Sequence, residues 1–352
     1  MEGIIIVFIV IIISILLHYY LNKEQNNKKN KLCPLKILDE EDHVTCFLIF
    51  SYNNKKYFLS GQMNGMISFY NGETYKPTIL IFEHCEPITS LSNLNDNRIL
   101  SSSADGTMKK IKILNENRNS KNYLVEFVFY TNKEFIFKSI QINSLDDVIS
   151  CNISKELILW KKNKNNDNPL YKVEKILIND EYIRDIFQIN ENIFISTGET
   201  LQCWDINNGY KNIKKLLYNC KGNNCIYKIN KEFTGILMQN DGNILLFDNN
   251  ELNGVKIIKL SNYTLTCLKS FNNNILLIGF FDINYKKSFI NEYIFDGMEL
   301  KLNKENIYND NCSKPNWHRI NLIDEFDNNI ILGIGGEENL RNFGKLMIFY
   351  RN

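Results

Sequence analysis

One phrase recurs along this chain, and it restricts the fold more than any other feature. Residues 57–71 (YFLSGQMNGMISFYN), 98–113 (RILSSSADGTMKKIKI) and 233–248 (FTGILMQNDGNILLFD) share one order: an apolar run, a small polar turn carrying Gly, then alternating apolar residues ending near an aromatic. Versions of it recur about seven times between residue 43 and the C-terminus, at a spacing of roughly 40–50 residues, which is a propeller period. Strands and tight turns repeated at that length predict an all-β ring of four-stranded blades, seven in number.

Each repeat places an innermost strand a before a b–turn–c hairpin, and an outer strand-like segment d follows most of them. Strands a begin near Val44, Ile88, Ile140, Ile183, Tyr227, Leu265 and Ile320. The turns Asn64-Gly65, Asp105-Gly106 and Asp241-Gly242 supply the positive φ angles that tight hairpins require. Ser154-Lys155 and Gly198-Glu199 fill the same place in blades 3 and 4, whereas blades 6 and 7 carry longer connections at Phe281–Ile290 and Gly335–Phe343. The seventh repeat ends after its strand c. Leu35–Leu38 is therefore expected to supply the missing outer strand, because closing the ring removes an exposed sheet edge. Domain boundaries follow: residues 1–22 as a transmembrane signal anchor, 23–34 as a basic juxtamembrane linker and 35–352 as the propeller.

The pattern resembles the WD40-repeat family over residues 35–352. The resemblance rests on Trp204-Asp205 ending strand c of blade 4, Trp160 in blade 3, and the Asp-Gly turns at 105 and 241. His43 and His84 precede strands a of blades 1 and 2, where that family often places histidine. The repeats are degenerate: blade 2 has His84, Ser101–Ser103 and Asp105, but Ile111 stands where the family has Trp. The resemblance implies a non-enzymatic propeller that binds other proteins through its face and rim.

Gly3–Asn22 is free of charged side chains and is mostly Ile, Val, Leu and Phe. About twenty helical residues span roughly 30 Å, the thickness of a bilayer core. Tyr19 and Tyr20 end the run, where aromatic rings favour the headgroup region, and Lys23, Lys28, Lys29 and Lys31 follow. The positive flank places the propeller in the cytosol. No basic segment precedes the run and no small-residue cleavage site ends it, so it reads as a retained anchor rather than a signal peptide. The expectation is a single-pass protein of an endomembrane, the endoplasmic reticulum, with residues 3–22 in the bilayer. Nine irregularly spaced cysteines suit a reducing compartment. The sequons at Asn152, Asn262 and Asn311 are expected by chance in so Asn-rich a chain.

Little in the chain points to catalysis. There is no G-x-S-x-G, P-loop or H-E-x-x-H pattern, and Cys220 and Cys225 have no second half of a zinc site beside them. No cofactor or metal is expected. With 41 basic and 40 acidic residues, the balance offers no footprint for nucleic acid. The basic clusters at Lys109-Lys110, Lys161-Lys162, Lys214-Lys215 and Lys286-Lys287 read as a solvated rim.

The long connections of the last two blades are the candidate partner site. They offer Phe281, Tyr285, Phe289, Arg341 and Phe343, types enriched at binding hot spots. The segment from Gly333 to Lys345 is also somewhat similar to the cation-stabilised loop of membrane-anchored exchange factors for the Sar GTPase. The functional expectation is a protein-interaction scaffold or adaptor on the cytosolic face of a membrane. Two alternatives stay open: a nucleotide-exchange regulator of a small GTPase on an endomembrane, and a lumenal or extracellular propeller enzyme.

Overall fold

The computed structural model describes residue 32 and residues 34–350, apart from 95–96, 115–121, 132–133, 143–145, 164–169, 180, 218–223, 273, 310–316, 328 and 339–340. The anchor, residues 1–22, and Lys23–Lys31 of the linker lie outside the described residues, so Tyr19, Tyr20, Lys23, Lys28, Lys29 and Lys31 receive no structural account. Among the described residues, no helix is long and apolar enough to cross a membrane.

Alternating apolar residues close into twenty-eight strands, which form seven antiparallel four-stranded sheets among the described residues. Blade 1 is β2 (Val44–Tyr52), β3 (Lys55–Gln62), β4 (Ile67–Asn71) and β5 (Pro77–Ile81). Blade 2 is β6 (Ile88–Leu94), β7 (Arg98–Ser103), β8 (Thr107–Ile113) and β9 (Tyr123–Tyr130). Blade 3 runs through β10 (Ile136–Ile142), β11 (Asp147–Asn152), β12 (Glu156–Lys162) and β13 (Tyr171–Ile178). Blade 4 runs through β14 (Asp185–Gln188), β15 (Ile193–Thr197), β16 (Thr200–Asp205) and β17 (Lys211–Leu217). Blade 5 comprises β18 (Asn224–Lys228), β19 (Phe233–Met238), β20 (Asn243–Asp248) and β21 (Asn253–Lys259). Blade 6 comprises β22 (Thr264–Phe271), β23 (Ile275–Asp282), β24 (Lys287–Phe295) and β25 (Leu300–Asn309).

Blade 7 takes β26 (Trp317–Phe326), β27 (Asn329–Glu338) and β28 (Arg341–Tyr350) from the end of the chain, and its outer strand is β1 (Pro34–Glu40). Leu38 faces Leu346 and Glu40 faces Gly344 across that antiparallel pair. The d strand of the last blade thus comes from the beginning of the chain, and the sheet has no unpaired edge next to β28.

The core lies between blades. Among the described residues, seven apolar clusters each join one blade to the next, from Phe69 and Ile99 between blades 1 and 2 to Phe58 and Ile348 between blades 7 and 1. Each blade therefore buries both faces, and only its outer strand looks outward. Strands b and c read as near-continuous buried runs for this reason, as in YFLSGQ of β3, buried throughout. The b–c turns press on the connection that follows. Gly65 sits at φ 84°, and a Cβ there would lie 2.5 Å from the His84 carbonyl oxygen, so that turn is closed to larger residues.

Candidate partner-binding face

The face carrying the b–c turns differs between blades, and the difference is in strand length. In blade 1, Gly61 pairs with Ile67 across the hairpin. The corresponding glycines pair Gly279 with Ile290 in blade 6 and Gly333 with Leu346 in blade 7. These hairpins are longer by about five and seven residues, which raises their tips roughly 8–12 Å above the other turns at about 3.3 Å per residue. The long connections expected there are not irregular loops. The ladder runs on to Asp282↔Lys287 in blade 6 and to Glu338↔Arg341 in blade 7, leaving short turns at the tips.

Glycine keeps the blade 7 ladder intact while making room for neighbours. Gly336 pairs with His318 on one side and Phe343 on the other. With no side chain between them, those two rings meet edge to face, with centroids 4.5 Å apart. The carbonyl of Gly336 lies 2.6 Å from His43 Nε2 of blade 1, and a Cβ on Gly335 would stand 2.8 Å from His43 Cβ. The glycine run is thus a strand stripped of side chains so that blade 1 can approach.

The five candidate residues do not form one patch. Tyr285 is at the blade 6 tip, 64% exposed, beside Ile283 at 68%. The turn beneath them is held by Asp282, which accepts hydrogen bonds from the amides of Asn284 and Tyr285. Phe281 pairs with Ser288, whose hydroxyl donates to the His318 carbonyl, so both residues are on the side facing blade 7. Phe289 looks the other way: it stacks on Phe280 at 5.0 Å and meets Tyr263 edge-on at 5.3 Å. Phe343 is half-buried against His318, with Lys345 Nζ 4.8 Å from its ring centre. The Arg341 backbone closes the blade 7 hairpin, and its side chain is outside the described set. Of the five, Tyr285 is the one held well out to solvent, and Ile283 beside it is a residue that aromatic and arginine content does not point to.

Two hydrogen-bond networks hold blades in register on this face. In blade 2, His84 Nδ1 lies 2.8 Å from Asp105 Oδ2 and Nε2 lies 2.8 Å from Ser101 Oγ. An ionised carboxylate only accepts, so Nδ1–H donates to Asp105, and Nε2 pairs with the Ser101 hydroxyl. Burial alone would raise the Asp105 carboxyl; the hydrogen bonds from His84 and Thr107 outweigh it and hold the group well below the ordinary carboxylate range. The tryptophan contact is in other blades: Trp160 donates to Ser150 at 3.0 Å and Trp204 to Ser196 at 2.9 Å.

In blade 1 the corresponding anchor is Glu40, and His43 does not serve. Glu40 stands four residues before β2, as His84 stands four before β6. It accepts hydrogen bonds from Ser60, from Gln62 Nε2 at 2.7 Å and from Ser68 at 3.1 Å. Desolvation dominates those bonds and pushes its carboxyl above the ordinary value. His43 instead turns toward blade 7. Identical spacing to the following strand was the signal for Glu40; residue type pointed to the histidine.

The channel at the ring centre carries a charged pair, Lys138 with Asp185 at 2.6 Å. Burial would lower the lysine, but Asp185 outweighs it and raises it. Asp185 also accepts from the amides of Ile186 and Ile226, so it ties blades 3, 4 and 5 together. Burial lifts the Cys151, Cys225 and Cys267 thiols to about 12, which leaves no thiolate at neutral pH. Among the described residues no group of three or more His, Cys, Asp or Glu is placed to hold a metal ion. Cys220 is outside that set.

The basic clusters are not uniformly a solvated rim. Lys110 is only 5% exposed and lines a cavity of about 280 Å³ between blades 2 and 3. Its ammonium is 3.7 Å from Glu126 and 5.2 Å from the Tyr171 ring centre, partners that compensate its burial. Lys286 and Lys287, by contrast, are exposed at the blade 6 tip.

No family model matches the chain, and no curated protein matches it. Solved structures do. The RRP9 WD40 repeats align over 91% of this chain and 99% of theirs, with a TM-score of 0.68 at 12% identity. The structure of U3-55K aligns over 90% of this chain and 99% of its own, with a TM-score of 0.66 at 12% identity. The β-propeller domain of Myceliophteria thermophila Cps50 (Swd1) covers 91% of this chain and 100% of its own, with a TM-score of 0.67 at 12% identity. The fold is a seven-bladed WD40-type propeller. Likeness at this identity establishes architecture, and function has to be argued from the face itself.

Proposed function

We propose that this protein is a membrane-anchored docking propeller, a non-enzymatic scaffold that holds a partner protein on the cytosolic side of an endomembrane. The observation that carries the reading is the raised pair of hairpins on adjacent blades, crowned by the exposed Ile283 and Tyr285. Large apolar side chains held out on a rigid hairpin have no use in stabilising the ring, and aromatic tips of this kind act as anchors in protein interfaces. WD40-type propellers bind other proteins, and buried thiols with dispersed histidines favour binding over chemistry here.

The anchor in this reading is residues 3–22, facing the cytosol with Lys23, Lys28, Lys29 and Lys31. In this reading the course of β1 gives the propeller its orientation. β1 ends at Glu40 beside the hairpin face, so its start at Pro34 lies toward the opposite face. Leu32 donates to the Ile307 carbonyl of blade 6 at 2.7 Å, fixing the tether at the blade 6–7 edge. The nine residues 23–31 span at most roughly 30 Å. The propeller sits close to the bilayer with its hairpins turned outward, toward the cytosolic partner.

A photo-crosslinking side chain at position 285, in native membranes, tests this. A discrete cytosolic protein crosslinked at 285, and lost when Ile283 is changed to Ser, is the expected result. Crosslinks only to lipid, or none above those formed from exposed Glu73 on the opposite face, would reject the docking face.

A further inference from the structure

The mouth of the central channel, on the hairpin face, is a cavity of about 420 Å³ bounded by strands a of blades 1, 5, 6 and 7. Most polar side chains around it are spent on backbone partners. Thr45 donates to the Gly61 or Ile88 carbonyl, Asn321 Nδ2 to the Val44 carbonyl at 2.7 Å, and Gln239 Nε2 reaches the Thr266 carbonyl at 3.5 Å. Arg319 differs. Its Nε is buried and has no hydrogen-bond partner, and no carboxylate among the described residues forms an ion pair with it. The acid deeper in the channel, Asp185, is already engaged by Lys138 and two amides.

A guanidinium that lines a polar cavity, with no hydrogen-bond or ion-pair partner among the described residues, is suited to take an anion through its Nη groups. We propose that the channel mouth binds a carboxylate through Arg319. Among the described residues lining the cavity, Arg319 is the one permanent cation, which suits a planar monoanion gripped by the guanidinium fork; a phosphate dianion would call for further cations. Met63 and Tyr227 supply apolar wall for the short aliphatic stem of an acidic side chain. The cavity admits one side chain, not a domain. Taken with the docking reading, on which this step rests, the ligand is an aspartate or glutamate of the protein that seats on the hairpin face.

The test uses the full chain in detergent with 15N-labelled arginine, titrated at constant ionic strength with N-acetylglutamate or inorganic phosphate. A saturable shift of one arginine Nε–H resonance with N-acetylglutamate is expected. Arg319→Gln should abolish it, and Arg319→Lys, which keeps the charge without the fork, should weaken it at least tenfold while melting like the parent. The absence of a saturable shift, an unchanged response in Arg319→Gln, or tighter binding of phosphate each overturns the carboxylate site. The partner crosslinked at position 285 separates the sources. Loss of its crosslink in Arg319→Lys supports a protein carboxylate. An unchanged crosslink alongside an intact N-acetylglutamate response overturns the protein source and assigns a free small acid. Failure of the titration with the crosslink retained overturns the channel site alone and leaves the docking face standing.

Discussion

Gln62 Nε2 donates to Glu40 Oε2 at 2.7 Å, linking the outer strand of blade 7 to strand b of blade 1. The seam of the ring is thus held by a buried carboxylate as well as by the β1–β28 ladder. Replacing Glu40 with Ala leaves Ser60, Gln62 and Ser68 facing a hole, and should cost about 1–3 kcal/mol by the usual penalty for buried unpaired groups. Urea unfolding of the two proteins side by side measures it.

The same residue sets a pH dependence. Its folded pKa is raised above 4.5, so between the unfolded and folded values the native state holds the extra proton. Stability from this group is fully present below about pH 4.5 and falls as pH rises through the folded value. Relative to Glu40→Gln, the parent should lose urea resistance as pH rises above about 4.5, read by midpoints taken at half-unit steps. A parallel pair of profiles would mean that Glu40 ionises in the fold as freely as in the unfolded chain.

Asp105 has the opposite sign. Its carboxyl is held below 3.8 in the fold, so its contribution is present above that value and is lost as pH falls through the lower folded pKa. Asp105→Ala should therefore be destabilised by about 1–3 kcal/mol at neutral pH through the unpaired His84. The gap between variant and parent should close as the solution is acidified below pH 3. Thermal melts followed by circular dichroism at pH 7 and in steps below pH 3 decide the matter.

Ring closure can be tested by truncation. Removing residues 1–31 spares β1, whereas removing residues 1–41 takes the strand and Glu40 with it and exposes the edge of β28. The first product should unfold with the midpoint of the full chain; the second should melt earlier and aggregate on heating. Equal melting of the two would mean that the β1 pairing contributes nothing to the ring.

Orientation is read most cleanly at Asn262. Of the three sequons, Asn152 is buried at 1% exposure and bonded within its own turn, and Asn311 is outside the described residues. Asn262 is exposed. With a cytosolic propeller, Asn262 carries no glycan and added protease digests the propeller in sealed membranes. A glycosidase-sensitive shift abolished by Asn262→Gln, with protection from protease, would place the propeller in the lumen.

The blades were legible because each is a local object. Strands alternate, Asn64-Gly65 and Asp105-Gly106 announce their turns, and the period counts the sheets. The raised hairpin of blade 7 was not legible as strand, because Gly333, Gly335 and Gly336 interrupt the apolar alternation although their amides pair like any others. Glu40 was hidden by His43: two titratable residues lie within one turn of the same strand, and chemistry of the family favoured the wrong one. Arg319 had no local signal at all. Thr45, Tyr227 and Arg319 are far apart in the chain and meet only because seven inner strands share one axis.

The pairing of β1 with β28 also sets a schedule. Roughly 300 residues separate Glu40 from Arg341, and at a ribosomal pace of about 5–20 residues per second the first strand waits some 15–60 seconds for its mate. Through that interval six blades can assemble into an open arc with bare strands at both ends. Whatever shields those ends from other chains during synthesis governs the yield of closed rings. Substitutions in β1 should therefore be felt first in expression level, before any property of the finished molecule.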